Sequence, residues 1–350
     1  MMRSEFFPRM RSRPRTSAWL AAAALLAGVL AAPGGAQERS GGADVSDSLV
    51  HVVEGVDFQV YDGRGRMRSF AHILSAADDA DVILVGEEHD DRVGHGVEAQ
   101  LFMRAAERYG ATGGPEKARR PVVLSLEMFE ADVQYILDEY LQGFITESQF
   151  KKSARPWERY DTDYRPMVEF ARAHDIPVIA ANAPRRYVNR VTRKGPSSLE
   201  QLPETARSLL PPLPFPVPSD RYKAQWDSLM GSMQTEGEGG GPPRHGMGYA
   251  LYSQALWDAA MGYSVARTLD AYPGALVIHY AGSFHVERGT GIPERVRDYR
   301  PGTRILTVVM QPSDDIFEWK NEEYRDYGDF VILTRAPVEK KGEERAAQPR

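Results

Sequence analysis

The sequence predicts an α/β protein with a mainly parallel sheet covered by helices on both faces, and with a helical, proline-rich lid insertion. Three observations carry this prediction. Short apolar runs alternate with segments of helical periodicity through most of the 350 residues. The apolar runs end on glycine or a polar residue, as buried parallel strands often do. The alternation is interrupted once, between residues 194 and 248.

The predicted elements follow one another as strands and helices of ordinary length. A strand, a turn and a second strand occupy residues 58–70, ahead of the first helix. Proline at position 184 stands where a helix begins, a position that tolerates it. Buried strands are expected at 82–85, 121–126, 177–180, 275–280 and 304–309, with an edge strand at 330–333. Helices are expected at 71–80, 97–109, 131–141, 165–174, 249–271 and 292–300.

The insertion, about residues 194–248, has a composition of its own. Proline occupies every second position or nearly so in residues 211–218, which excludes a helix or a central strand there. Tyr222 and Trp226 recur at helical spacing before a glycine-rich link at 236–243. We expect either a lid or a subunit contact, the latter forming a homodimer; the alternative is a surface segment without a functional role.

The first 36 residues have the order of a secretory signal. An arginine-rich head precedes an apolar run from Ala18 to Ala32, and small residues lead to a cleavage point after Ala36. The run is shorter than the roughly 20 residues of a membrane-spanning helix, although an uncleaved anchor is the alternative. We expect an exported protein, periplasmic or extracellular, with a flexible lead-in at 37–55, an α/β domain at 56–335 and a disordered tail at 336–350.

Composition excludes several classes of partner and site. The chain has no cysteine, so it has no disulfides, no thiolate metal ligands and no cysteine for a lipoprotein anchor. A net charge of −6 argues against nucleic acid as a partner. After removal of the signal, no apolar segment is long enough to span a membrane.

Two turns of the same form follow predicted buried strands. Gly86 is followed three residues later by His89, and Gly282 is followed three residues later by His285. Ligands of open parallel sheets bind at the carboxyl ends of strands. The two Gly-x-x-His turns therefore predict one shared site at that edge.

A third strand adds a carboxylate to this edge. Glu127 follows its strand directly, and with His89 and His285 it forms a set suited to a divalent metal ion or to general acid–base catalysis. Glu88 is a candidate base or a hydrogen-bonding partner of the site. Glu87 is expected to be a solvated acid of the loop.

Arg185 and Arg186 open the helix after the 177–180 strand. Arginines at a helix start beside a strand end are placed to receive a carboxylate or phosphate. The alternative is that they are ordinary surface residues.

Five blocks in order resemble the ChaN-like haem-binding uptake domain, over about residues 74–311. That family is grouped with the Tiki and TraB proteins and the erythromycin esterases. The blocks are Val85–Asp91, Ser125–Glu130, Asn182–Arg185, Gln254–Met261 and Ala281–Val286.

The resemblance implies two different uses of the site. ChaN-like proteins are described as binding haem between subunits and are linked to iron acquisition. The Tiki and esterase branches are hydrolases whose Gly-x-x-His and glutamate residues map here to His89, Glu127 and His285. The chain departs from the lipoprotein members because it has no cysteine.

Haem requires an axial ligand, an apolar surface and donors for its propionates. Tyr249 or Tyr252 is the expected axial ligand, beside the strand edge rather than on it. Arg185, Arg186 or Arg288 would face the propionates.

Three functions therefore remain open from the sequence. The first is a haem-binding protein of an iron-uptake system, and the second is a metal-dependent hydrolase of an ester or peptide. The third is a carbohydrate- or partner-binding module that keeps the fold alone.

Overall fold

The computed structural model describes residues 50–236 and 249–336, and the strands in these ranges form one eight-stranded sheet. Their order across the sheet is β2-β1-β8-β7-β3-β6-β4-β5. In chain order the strands are β1 (Phe58–Asp62), β2 (Met67–Arg68), β3 (Val82–Glu87), β4 (Val122–Glu130), β5 (Val178–Asn182), β6 (Leu276–Gly282), β7 (Ile305–Ser313) and β8 (Phe330–Arg335).

The sheet is mainly parallel, as the sequence predicts. Strands β8, β7, β3, β6, β4 and β5 run parallel to one another. Only β1 is antiparallel to its two neighbours, β2 and β8. All the residues of β3 and β6 are buried, which is the expected environment of central parallel strands.

The α-helices of the described residues connect these strands. They are α1 (Phe70–Ala76), α2 (Arg92–Tyr109), α3 (Gln134–Leu141), α4 (Glu147–Ala154), α5 (Tyr160–Asp163), α6 (Arg165–Ala173), α7 (Arg185–Lys194), α8 (Glu204–Arg207), α9 (Asp220–Glu236), α10 (Ala250–Ala271), α11 (Ile292–Tyr299) and α12 (Asn321–Tyr324).

The core is organised by the two-residue periodicity of the strands. Ile83 and Val85 of β3 belong to a large cluster with apolar residues of α2 and α6. Val82 and Leu84, which point the other way, belong to a second cluster with residues of α10 and α11, Met261 among them.

Several element boundaries differ from the predicted ones, and two of these differences affect residues near the strand ends. Helix α2 begins five residues early, because the Asp91 carboxylate caps it by accepting a hydrogen bond from Val93 N–H at 3.0 Å. Strand β4 continues past Leu126 to Glu130, with an irregularity in its pairing to β5 between those two residues. A bulge of this kind changes the direction in which side chains near a site point.

Several predicted segments lie wholly or partly outside the described residues: the signal, most of the lead-in, the link after residue 236 and the tail. The described end of the lead-in packs on α2, where Val52 is buried. Within the described residues, no helix combines the length and apolar character needed to cross a membrane.

Candidate functional site

The sheet places the two Gly-x-x-His turns side by side. Strand β3 lies next to β6, with Gly86 opposite Ala281 and Glu87 opposite Gly282. Both strands are parallel and in register, so the two turns leave the same edge of the sheet together. The shared site predicted from the sequence is therefore permitted by the strand order.

The glycines allow the two turns to touch. A Cβ atom at Gly86 would lie 2.9 Å from Ser283 Cα, which is closer than real side-chain contacts allow. A Cβ atom at Gly282 would lie 3.1 Å from His89 Nε2 and 3.8 Å from His285 Cδ2. The two imidazoles therefore approach each other over the bare backbone of Gly282.

His89 is oriented by the carboxylate of Glu87. Its Nδ1 lies 2.6 Å from Glu87 Oε1, and its ring packs edge-on against Trp157 with centroids 4.9 Å apart. The side chain is about half exposed. Burial favours the neutral ring, but contact with Glu87 outweighs it and raises the pKa of His89. The Nε2 atom remains directed at the shared space over Gly282.

Glu87 is not the solvated acid expected from the sequence. It is buried at the end of β3, where Tyr164 Oη donates to Oε1 at 2.8 Å and His95 Nε2 lies 3.0 Å from Oε2. Burial acts to raise the pKa of this carboxyl, but its contacts with His89 and His95 prevail and lower it. The expectation was wrong because a parallel strand continued one residue beyond Gly86.

His285 has a second carboxylate partner of its own. Its Nδ1 lies 2.6 Å from Asp258 Oδ1 on α10, and both side chains are buried. Burial lowers the pKa of His285, but the negative charges of Asp258 and Glu127 outweigh it and raise the pKa to about 9. Asp258 was not predicted from the sequence as a site residue. An aspartate on an otherwise apolar face of the long helix was the available signal.

Glu127 of β4 lies at the same edge of the sheet, beside the second turn, because β4 is the other neighbour of β6. Its Oε2 accepts a hydrogen bond from Gly282 N–H at 2.8 Å, and its Oε1 lies 3.8 Å from His285 Nε2. The backbone of the second turn thus fixes one carboxylate oxygen and leaves the other facing the imidazole. The arrangement around Gly282 contains His89, Glu127 and His285 together.

Glu88 points away from His89. It accepts hydrogen bonds from Ser283 Oγ and from Gln311 Nε2, so its role is to tie the two turns to β7. Glu88 and Ser283 also line a cleft of about 860 Å³ beneath α9. That volume is within the range of small-molecule sites.

The predicted metal ligands surround a common point, but not at coordination distance. His89, Glu127 and His285 do not bring three ligand atoms within 4.8 Å of one another. Together with Glu87 and Asp258, they form two imidazole–carboxylate pairs, and Glu127 is an additional carboxylate. Such a set can bind and transfer protons at two Nε2 atoms.

The residues predicted to bind haem lie outside the set of His89, Glu127 and His285. Tyr249, 42% exposed, rests with its ring against Gly195, and its centroid is 6.2 Å from that of Tyr252. Arg185 is exposed, whereas Arg186 is paired with Asp132 at 2.5 Å.

Arg288 is held beside the cleft under α9. Its guanidinium lies 5.0 Å from the ring centre of Tyr327 and donates to the carbonyl of Glu323 at 3.1 Å. Arg288 therefore lines a different surface from Tyr249.

The fold and the sequence were compared with known proteins. Residues 73–296 match the family model for haem-binding uptake proteins of the Tiki superfamily, ChaN. A search of curated proteins gives no match. The structure of ChaN of Campylobacter jejuni, which shows cofacial haem binding, superposes with a TM-score of 0.59 and 17% identity, over 82% of this chain and 100% of that one.

Weaker likenesses extend to two other solved structures. The type III effector HopBA1 aligns with a TM-score of 0.40 and 12% identity, over 76% of this chain and 92% of that one. A mutant of the erythromycin esterase EreC in its open conformation aligns with a TM-score of 0.40 and 11% identity, over 73% and 77%. The family match covers most of the described α/β fold. The chain belongs to the haem-binding uptake family of the Tiki superfamily, ChaN.

Proposed function

We propose that the protein is an exported haem-binding protein that serves haem or iron uptake. The single observation that carries this proposal is membership of the haem-binding uptake family over residues 73–296. The amino-terminal residues have the composition of an export signal, which supports a periplasmic or extracellular location. Cofacial haem binding by the similar ChaN of Campylobacter jejuni supports the choice of ligand.

The residues around Tyr249 fit a haem at the protein surface. A phenol is one of the groups that bind haem iron in proteins, and that of Tyr249 is accessible. The ring rests on Gly195, directly after Arg193 and Lys194, which are both exposed. These cations are of the type that receives propionates, and Tyr252 supplies a neighbouring aromatic surface.

A haem at this position would be only half covered by one chain. The opposite face would be covered by a second copy, which is the homodimer expected from the insertion. Helix α9 of that insertion packs on the second Gly-x-x-His turn, where the Tyr222 and Phe284 rings lie 5.4 Å apart. We propose that α9 is a lid over the cleft beneath it and that the insertion contributes to the subunit contact.

Titration of the purified full chain with hemin tests this proposal. A Soret band that shifts and saturates at a fixed ratio of hemin to chain supports it. Replacement of Tyr249 by phenylalanine removes the proposed iron ligand and is expected to weaken or blue-shift that band. A linear titration without saturation contradicts the proposal.

A second candidate, hydrolysis of an ester or peptide, is favoured by the two imidazole–carboxylate pairs. His285, paired with Asp258 and with a pKa of about 9, is positively charged at neutral pH and suited to donate a proton or stabilise an oxyanion. His89, paired with Glu87, has the accessible ring suited to a base. The cleft beside Glu88 would receive the substrate. A divalent ion at His89, Glu127 and His285 is the metal-dependent form of this candidate.

Hydrolysis is tested with a panel of chromogenic esters, with and without added Zn²⁺ or Mn²⁺. Loss of turnover in His89→Ala and His285→Ala, but not in the exposed-histidine control His51→Ala, supports this candidate. Equal rates in all four proteins contradict it.

A further inference from the structure

A second cluster of ionisable side chains lies behind His89, inside the protein. Glu87 of β3 faces His95 and Glu98 of α2, which lie one helical turn apart on the same side of that helix. The three residues are 1%, 3% and 0% exposed respectively. Acids are almost never buried this completely without a partner.

Glu98 faces the carboxylate of Glu87, a group of like charge, rather than a cation. Neither carboxyl oxygen has a hydrogen-bond partner among the described residues. Burial and the nearby charge of Glu87 raise the pKa of Glu98 well above its ordinary value. An unsatisfied buried polar group costs about 1–3 kcal/mol. A cation bound beside Glu87 and Glu98 would remove this cost, because buried charges are stabilised by pairing or by metal coordination.

His95 has a carboxylate beside its outer ring nitrogen, at ion-pair distance and without a hydrogen bond between the two atoms. Its Nδ1 lies 3.5 Å from Asp163 Oδ2, and Asp163 is itself held by Arg159 at 2.9 Å. An outer carboxylate on one ring nitrogen fixes the tautomer and presents the other nitrogen to the metal. That other nitrogen, Nε2, lies 3.0 Å from Glu87 Oε2.

The spacing of the ligand atoms suits a small cation. Glu87, His95 and Glu98 each offer one ligand atom, and these atoms lie within 4.8 Å of one another. Two adjacent ligands of an octahedral ion at about 2.1 Å are about 3.0 Å apart, which is the distance between Glu87 Oε2 and His95 Nε2.

We propose that Glu87, His95 and Glu98 bind one divalent first-row transition-metal ion, of the Mn²⁺ or Fe²⁺ type. Two carboxylates and one imidazole favour these ions over soft metals, which prefer sulfur. Tyr164 Oη, 3.4 Å from His95 Nε2, is close enough to contribute a further oxygen. A cavity of about 10 Å³ lined by His95 and Asp163 has room for a single water molecule on the outer side.

This site is separate from the set His89, Glu127 and His285, but it is connected to that set through Glu87. One oxygen of Glu87 faces the proposed ion while the other stays 2.6 Å from His89 Nδ1. The ion would therefore act on His89 as a positioning element, by fixing the carboxylate that orients the imidazole. This effect of the ion on His89 does not depend on haem binding at Tyr249.

The test is metal analysis of the full chain after chelation and reloading with Mn²⁺, with Zn²⁺ as a comparison. We expect one Mn²⁺ per chain and an electron paramagnetic resonance spectrum of a bound ion. Glu98→Gln and His95→Gln should each weaken Mn²⁺ binding by more than about 10-fold. Glu107→Gln, an exposed acid on the same helix, should bind as the wild type does.

Two results would overturn the proposal: wild-type protein that binds neither ion after reloading, or Glu98→Gln that binds Mn²⁺ as tightly as wild type. Circular dichroism checks that each variant is folded. If the ligand variants do not fold, Asp163→Asn tests the proposal in their place. This variant keeps all three ligands and should still weaken Mn²⁺ binding by about 10-fold. Unchanged affinity in Asp163→Asn contradicts the proposal.

Discussion

His285 and Asp258 form a buried imidazole–carboxylate pair, with Nδ1 of one 2.6 Å from Oδ1 of the other. The pair joins the second Gly-x-x-His turn to the long helix α10. It leaves His285 Nε2 facing Glu127, 3.8 Å from Oε1. The charge state of His285 is therefore decided by two acids from different elements.

The first prediction concerns the pH dependence of stability. The pKa of His285 is about 9 in the folded protein, above the ordinary 6.5. Its contribution to stability is thus fully present below pH 6.5 and is lost as pH rises through about 9. Its upper limit is about 3 kcal/mol. Asp258→Asn should lower the free energy of unfolding much more at pH 6 than at pH 9.5, as measured by urea denaturation.

Asp270→Asn is the matched control on the same helix, since Asp270 pairs with Arg300 at the surface. It should change stability by less than about 1 kcal/mol at either pH. An Asp258→Asn effect that is equal at the two pH values would show that His285 is not charged by this pair.

The second prediction concerns His89. Because Glu87 raises the pKa of His89 more than Glu127 does, Glu87→Gln should lower the pKa of His89 in an NMR titration of the imidazole protons. The variant should also lose about 1–3 kcal/mol of stability, since Tyr164 and His95 lose a charged partner. Glu88→Gln is the neighbouring control and should leave the titration of His89 unchanged, because Glu88 bonds Ser283 and Gln311 instead.

The third prediction concerns the close approach of the two turns. Gly86→Ala should destabilise the fold by about 1–3 kcal/mol, since its Cβ would lie 2.9 Å from Ser283 Cα. Gly231→Ala in α9, where a Cβ atom meets nothing within 4 Å, should be neutral or stabilising by about 1 kcal/mol. Thermal unfolding of both variants checks the difference. Equal melting temperatures would mean that the turns do not touch as described.

The fourth prediction uses the two basic ends of α7, which are about 13 Å apart along the helix axis. Arg193 and Lys194 precede the glycine on which Tyr249 rests, whereas Arg185 and Arg186 begin the helix. If haem lies on Tyr249, the double replacement Arg193→Ala and Lys194→Ala should weaken hemin binding several-fold. The pair Arg185→Ala and Arg186→Ala should have the smaller effect. The reverse order would place the propionates at the start of α7.

Much of the fold was predictable because buried parallel strands appear in the sequence as short, continuous apolar runs. The apolar run before Gly86 and the one before Gly282 gave both central strands, and parallel geometry then put their turns on one edge. The pairing of β3 with β6 was not predictable, since strand order depends on contacts between distant residues. The strand propensity of the residues after Leu126 also could not show that β4 continues past that residue.

The proximity of the candidate site residues was predictable, but the partners of their side chains were not. His89, Glu127 and His285 were found from the ends of strands, and they do meet around Gly282. Sequence alone favoured Glu88 over Glu87, because nothing local shows which of two adjacent acids turns inward. Asp258 and Glu98 were not singled out for the same reason. An acid on a helix is normally exposed to solvent, and only the packing of the helix shows that it is buried.

Haem binding is the central claim, and hemin titration of wild type, Tyr249→Phe and Tyr135→Phe tests it most directly. Tyr135 is an exposed tyrosine on α3, so it controls for non-specific capture of hemin by surface phenols. We predict saturable binding with a shifted Soret band in wild type and Tyr135→Phe, and a weakened or altered band in Tyr249→Phe. Hemin titrations that do not saturate in any of the three proteins would contradict the claim.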